Sequence, residues 1–338
     1  RVMEFITAEY EFALWCGLGS ALVGLCCGVL GSYLVLRRLS LIGDVLGHAT
    51  LPGVVIAFMI VEAKLLAPLY MGALATGLLA ALTVGLITRH ARTKPDAALA
   101  LVLTTFFGVG IVLLTVIQNS EYGDQAGLSG FLFGNAIALT EEEVRILAGL
   151  TVLVLVLVLV FYRQLMAFTF DPQYARAVGL PVRTLHYGMM ALTSLVIIAS
   201  IQAVGVVLVV AMLTTPAATA HLLSRRLSTM VILSGVFGIL SGYLGALISY
   251  VFSGWSSGPT MVLCASAFFV LAVFFSPSRG LFVDLVRRTR RRKRHADALL
   301  MELGERLAED DELSLERLAE QARLSPARLE RRIDRLRA

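Results

Sequence analysis

Long apolar runs constrain this chain more than any other feature. They fall near 11–36, 44–62, 66–87, 97–118, 143–163, 186–224, 229–252 and 258–278. About 20 apolar residues in a helix cross the hydrocarbon core of a bilayer. Only 16% of the 338 residues are charged, 57% are hydrophobic, and the mean hydropathy is +0.81. Soluble domains carry roughly 25% charged residues. The expected fold is therefore all-α: a polytopic transmembrane helical bundle. The 186–224 run is too long for one span. It reads as two helices hinged near Gln202 to Gly205, or as one span plus a re-entrant piece, giving eight or nine spans. The first run is too long for a cleavable signal peptide and lacks a small-residue cleavage site.

The net charge of +5 matters less than its distribution. Basic residues gather at Arg37/Arg38, from Arg89 to Lys94, at Arg225/Arg226 and from Arg287 to Arg294. The loop 119–142 has acidic residues and no Lys or Arg. By the positive-inside rule the basic loops face the cytoplasm, and a nine-span reading places the N-terminus outside.

Gly24, Gly28 and Ser32 recur every fourth residue in the first run. Small residues at that spacing let helix backbones approach closely in lipid. Both a seam within one subunit and a seam between subunits fit. Cys16, Cys26, Cys27 and Cys264 all lie in apolar runs without zinc-ligand spacing, and read as small packing residues.

Asp44 and His48 stand one helical turn apart at the head of the second run. At i and i+4 they project from one helix face. Ionisable residues within a span mark an ion path or a pairing partner. A carboxylate oxygen and an imidazole nitrogen suit a divalent transition metal such as manganese, iron or zinc. One helix supplies two ligands, and two copies about a two-fold axis would supply four. The competing reading is local: Asp44 caps the helix and His48 is a satisfied interfacial histidine.

The stretch from Asp171 to Tyr187 is the longest polar insertion on the basic side. Its segment PQYARAVG reads as a short amphipathic helix, with Pro172 in the first turn and Gly179 as the stop before Leu180. A short surface helix can dock a soluble partner in a groove; an ordinary interfacial loop helix is the plain alternative. Further on, Pro216 sits within an apolar run beside Thr214, Thr215 and Thr219. Proline frees a carbonyl that Thr hydroxyls can help satisfy, so a helix kink is expected at Pro216. His221 reads as interfacial.

The segments LRRLSLIGDVLGHATLPGVVIAF, KPDAALALVLTTFFGVGIVLL, GFLFGN, FDPQYARAVGLPVRTLHY, QAVGVVLVVAMLTTPAATAHLLSRR and SGPTMVLCASAFFVLAVFFSPSRGL occur in that order. Together they resemble the integral-membrane permease of manganese, zinc and iron ABC importers, over roughly residues 11–283. The resemblance implies a multi-pass protein of the bacterial cytoplasmic membrane. It pairs with a second permease copy or a close paralogue, with two ATP-binding cassette ATPase subunits, and with an extracytoplasmic metal-binding protein. It implies that Asp44 and His48 lie on the path of the transported metal ion. It makes the stretch carrying Asp171, Pro172, Ala175, Ala177, Gly179 and Leu180 the coupling helix that docks on the ATPase. No permanently bound cofactor is implied.

A transmembrane domain is expected over 1–283 and a cytoplasmic helical extension over 284–338. The basic run at its start is a stop-transfer flank with anionic membrane lipid as its partner. The remainder reads as two helices, opened by Ser314 and by Ser325 with Pro326. It resembles the helix-turn-helix part of the winged-helix domain of iron- and manganese-dependent repressors, which tilts the metal toward manganese. Its charges alternate along the helices instead of forming a basic face, so DNA is not an expected partner. The alternative function is a membrane-tethered, metal-responsive regulator acting through this tail. A metalloprotease lacks its HExxH pattern, and a proton-coupled carrier would leave the Asp171–Tyr187 insertion unexplained. No P-loop pattern occurs, so the chain is not expected to be an enzyme; ATP hydrolysis falls to a separate subunit.

Overall fold

The structure, a computed structural model, describes residues 2–61, 66–91, 94–119, 134, 136, 139–252 and 255–276. Among these residues every regular element is a helix: α1 Val2–Leu36, α2 Ser40–Val61, α3 Leu66–His90, α4 Pro95–Gln118, α5 Glu141–Val160, α6 Tyr162–Phe170, α7 Pro172–Ala177, α8 Val182–Val204, α9 Val206–Leu223, α10 Leu227–Val251 and α11 Ser257–Phe275. Eight carry a stretch long and apolar enough to cross a bilayer; α9 is shorter, with its apolar part at Leu208–Leu223. The chain is a multi-pass membrane protein.

The long run 186–224 takes the two-helix form. Gly205 separates α8 from α9 at φ +91°, a backbone conformation that strains any side-chain-bearing residue. The reversal is pinned to the start of α11. Ser257 Oγ donates to the Ala203 carbonyl (3.2 Å) and accepts from the Ala136 N–H (2.7 Å). Gly134, from the GFLFGN segment, packs so closely that a Cβ there would stand 2.3 Å from the Val204 carbonyl carbon. Thus α9 starts beside the N-terminal end of α11 and returns to the end carrying Arg225 and Arg226. Among the described residues eight helices are thus long enough to cross, with α9 as a shorter apolar return beside them.

Glycine sets the tightest packing. A Cβ on Gly24 would stand 2.0 Å from the Gly238 carbonyl oxygen, and one on Gly28 2.3 Å from that of Ser234. Ser234 Oγ donates to the Gly28 carbonyl at 2.5 Å. The small-residue face of α1 is therefore a seam inside one subunit, against antiparallel α10. Gly53 of α2 and Gly72 of α3 meet in the same way. All four cysteines are free thiols. Cys26 donates to Thr151 of α5 at 3.2 Å, and Cys27 lies 3.8 Å from the Ser200 hydroxyl of α8.

A capping box opens α5. The Thr140 hydroxyl accepts from the Glu143 N–H, and the Glu143 carboxylate accepts from the Thr140 N–H. This accounts for the carboxylate nearest the buried end of the acidic cluster. The first compact unit ends at Val273 and the second takes in 274–338. The expected 284–338 extension and its boundary at 283 lie outside the described residues.

Candidate functional site

Helix α2 begins at Ser40, so Asp44 lies more than a turn inside it. An N-cap side chain must precede the first turn, and the capping reading of Asp44 falls. Ile42, Val45, Leu46 and Ala49 are all buried. Gly43 rests near Val210 and Leu213 of α9, and Gly53 is pressed on α3. Among the described residues of this half of α2, only Leu41, which is exposed, and Asp44 and His48, which are half-buried, are not fully buried; they follow one another a helical turn apart.

The His48 ring stands edge-on to Phe107 of α4, with centroids 4.8 Å apart and an interplanar angle of 68°. Its Nδ1 is buried and has no hydrogen-bond partner among the described residues. A buried polar atom left so costs about 1–3 kcal/mol, which argues against a histidine satisfied within the described residues. Pro52, inside α2 four residues after His48, has no N–H. The His48 carbonyl therefore lacks its usual i+4 donor. The sequence reading passed over this signal, although it was visible in the spacing. Among the described residues no group of three or more His, Cys, Asp or Glu comes together. The described residues thus bring one carboxylate and one imidazole together on this face of α2.

At the basic end, α6 and α7 follow α5 almost without a break. Helix α6, Tyr162–Phe170, fills the stretch between the apolar run and the Asp171 insertion, where the sequence pattern marks no separate helix. Asp171 Oδ1 caps α7, accepting from the Gln173 and Tyr174 N–H groups at 2.9 Å each. Pro172 occupies the first turn. At the other end Gly179 takes φ +84°. Its N–H donates to the Arg176 carbonyl, and that of Leu180 donates to Ala175. This is the paired-bond helix stop that a left-handed glycine permits. Ala175 is fully buried beneath the helix, whereas Ala177 is exposed with Tyr174 (59%) and Val178 (60%). The outer face of α7 is therefore uncovered, and it mixes Tyr174 and Ala177 with the exposed polar side chains of Gln173 and Arg176.

Helix α9 continues through Pro216. The Thr214 hydroxyl donates to the Val210 carbonyl and that of Thr219 to Thr215. Neither reaches the Met212 carbonyl, which Pro216 leaves without a donor.

A cluster that the sequence reading missed lies between the two sites. The Arg37 guanidinium stacks on the Phe168 ring at 3.8 Å from its centroid. Its Nη1 lies 3.3 Å from His186 Nδ1. Arg37 was legible only as part of a basic loop; its partners are 131 and 149 residues away.

The profile of the ABC 3 transport family matches residues 9–276. The chain is 39% identical to the manganese transport system membrane protein MntC of Bacillus subtilis, over 96% of this chain and 75% of that protein. It is 35% identical to the zinc transport system membrane protein TroC of Treponema pallidum (81% and 92% covered). It is 37% identical to the chelated iron transport system membrane protein YfeD of Yersinia pestis (79% and 86%). Among solved structures, PsaBC from Streptococcus pneumoniae, in complex with Fab, superposes with a TM-score of 0.72 at 34% identity, covering 82% of this chain and 98% of that one.

Proposed function

Because the chain belongs to the ABC 3 transport family, we propose that it is the permease subunit of an ATP-driven importer of a divalent transition metal in the bacterial cytoplasmic membrane. The observation that carries the reading is the buried Nδ1 of His48, without a hydrogen-bond partner among the described residues, one turn from Asp44 on the half-buried strip of α2. Two such strips about a two-fold axis assemble two carboxylates and two imidazoles around one ion. A transport site must also release its ion, which a shell finished by water favours. Manganese is the favoured cargo, with zinc and iron as competitors. Relatives named for each metal share the family, and the one matched over 325 residues, well into the stretch after 283, is a manganese protein.

In this reading the basic end faces the cytoplasm. The exposed face of α7, with Tyr174, Ala177 and Val178, docks on an ATP-binding cassette subunit, one for each of two permease copies. An extracytoplasmic metal-binding protein delivers the ion at the opposite end. The test is ATP hydrolysis by the reconstituted complex with metal-loaded delivery protein, run in parallel with manganese, zinc and iron. Stimulation by manganese above the other two is expected. Hydrolysis indifferent to all three metals contradicts the reading.

A further inference from the structure

Arg37 follows the end of α1, and the turn after it is tightly specified. Arg38 takes φ +57°, a left-handed position usually left to glycine. The Leu39 N–H closes back on the Leu34 carbonyl at 2.9 Å, and that of Arg38 on Val35 at 3.1 Å. Ile42, in the first turn of α2, then bonds the Leu39 carbonyl. The elbow between α1 and α2 is thus only three residues long, and Asp44 comes five residues after it.

No carboxylate among the described residues forms an ion pair with Arg37. Instead its guanidinium lies on Phe168 and against His186. Phe168 is fully buried and sits on α6, three residues before the Asp171 cap of α7. His186 belongs to the second turn of α8, the helix that leaves α7. One side chain therefore grips both the entry to and the exit from α7, and it stands on the elbow that carries α2. Burial lowers the Arg37 pKa to about 10, which leaves it charged at neutral pH. A cation held by a ring face and an imidazole has a strict geometry, because attraction to a ring acts only near its face.

We propose that Arg37, Phe168 and His186 form the joint through which displacement of α7 reaches the elbow in front of Asp44, with Arg37 as its positioning residue. The inference rests on the reading of α7 as the ATPase-docking helix and of Asp44 and His48 as the metal pair. The joint touches neither nucleotide nor metal; it fixes how far α7 and α2 move together. Its removal should lower the coupling between metal and hydrolysis and leave assembly intact.

The experiment uses the full complex of permease, ATPase and delivery protein in lipid vesicles, with manganese as the probe. Basal hydrolysis, metal-stimulated hydrolysis and manganese taken up per ATP are measured for Arg37→Gln, Phe168→Leu, His186→Gln and Arg37→Lys. Arg37→Gln and Phe168→Leu should each lower manganese per ATP by about 10-fold, within the usual range of coupling between sites. Basal hydrolysis and co-purification of the ATPase should stay at wild-type levels. The double variant should be no worse than either single one, since both remove the same contact. Arg37→Lys, which keeps a cation over the ring, should recover part of the loss. Unchanged manganese per ATP in Arg37→Gln overturns the joint. So does an equal loss of basal and stimulated hydrolysis in all four variants, which would make the cluster a packing element. If Phe168→Leu fails to assemble, Arg37→Gln and His186→Gln decide on the same criteria. A wild-type complex that shows no metal stimulation rejects the permease reading itself, and the joint with it.

Discussion

Where α1 meets α10, glycines bring two backbones into contact; where α2 passes α3, α4 and α9, an imidazole nitrogen is buried with no hydrogen-bond partner among the described residues. Both stretches interrupt an apolar pattern inside the membrane. At the first, Gly24 and Gly238 leave no room even for a methyl group, and the Ser234 hydroxyl is satisfied across the seam by Gly28. At the second, Asp44 and His48 are half-buried on a helix half whose other described residues, apart from the exposed Leu41, are buried. Association in lipid rests on packing and on polar satisfaction. A seam that completes both within one chain is structural. On α2 the His48 ring is packed by Phe107 while its Nδ1 has no partner among the described residues.

The sharpest way to break the seam is Gly24→Val, which drives a branched side chain into the Gly238 carbonyl. Overpacking costs about 1–3 kcal/mol where neighbours can yield, and here the obstacle is backbone. We expect loss of the folded protein from detergent extracts, read by size-exclusion chromatography; a monodisperse peak of wild-type height would contradict the seam. Next in size is Ala177→Trp. Ala177 is exposed on α7, so the bundle should keep its thermal stability while metal-stimulated hydrolysis falls about 10-fold, a typical size for lost coupling. Retained stimulation would remove α7 from the docking surface. Ala175, fully buried, is the wrong place for this test, because bulk there disturbs the fold first. The smallest effect is expected from Gly149→Ala on α5, where an added Cβ meets nothing within 4 Å. Helix propensity favours alanine by about 1 kcal/mol, so the melting temperature should rise slightly or stay unchanged. A fall would show that this face too is a seam, closed by another chain.

Much of this could be read from the sequence because it is local. Span length and hydropathy depend on consecutive residues. The reversal at Gly205 and the stop at Gly179 each depend on a glycine in place, and the cap at Asp171 acts on the next two N–H groups along the chain. The spacing of Asp44 and His48 is a property of one helix. The rest depends on which distant segments meet. The every-fourth-residue pattern of α1 identifies a seam, yet its partner lies more than 200 residues away on α10. The same holds for Arg37 with Phe168 and His186, and for Ser257 with Ala136 and Ala203. The α6 helix escaped notice because its Arg, Gln and Thr residues dilute the apolar signal, although helical backbone carries on from α5 through Phe161. At Pro216 the freed carbonyl was foreseeable, but the carbonyls that the threonines bond instead were not.

The proposal most in need of a test is that the Asp44–His48 strip of α2 holds the ion in transit. Manganese uptake by cells expressing Asp44→Asn, His48→Ala and Val45→Ala at matched membrane levels tests it most directly. Asp44→Asn keeps the shape and removes the charge that offsets dehydration of a dication; His48→Ala removes the buried nitrogen. Val45→Ala, on the buried side of the same turn, alters packing alone. The account predicts that uptake falls to background in the first two and persists in the third. Wild-type uptake in both Asp44→Asn and His48→Ala would contradict it.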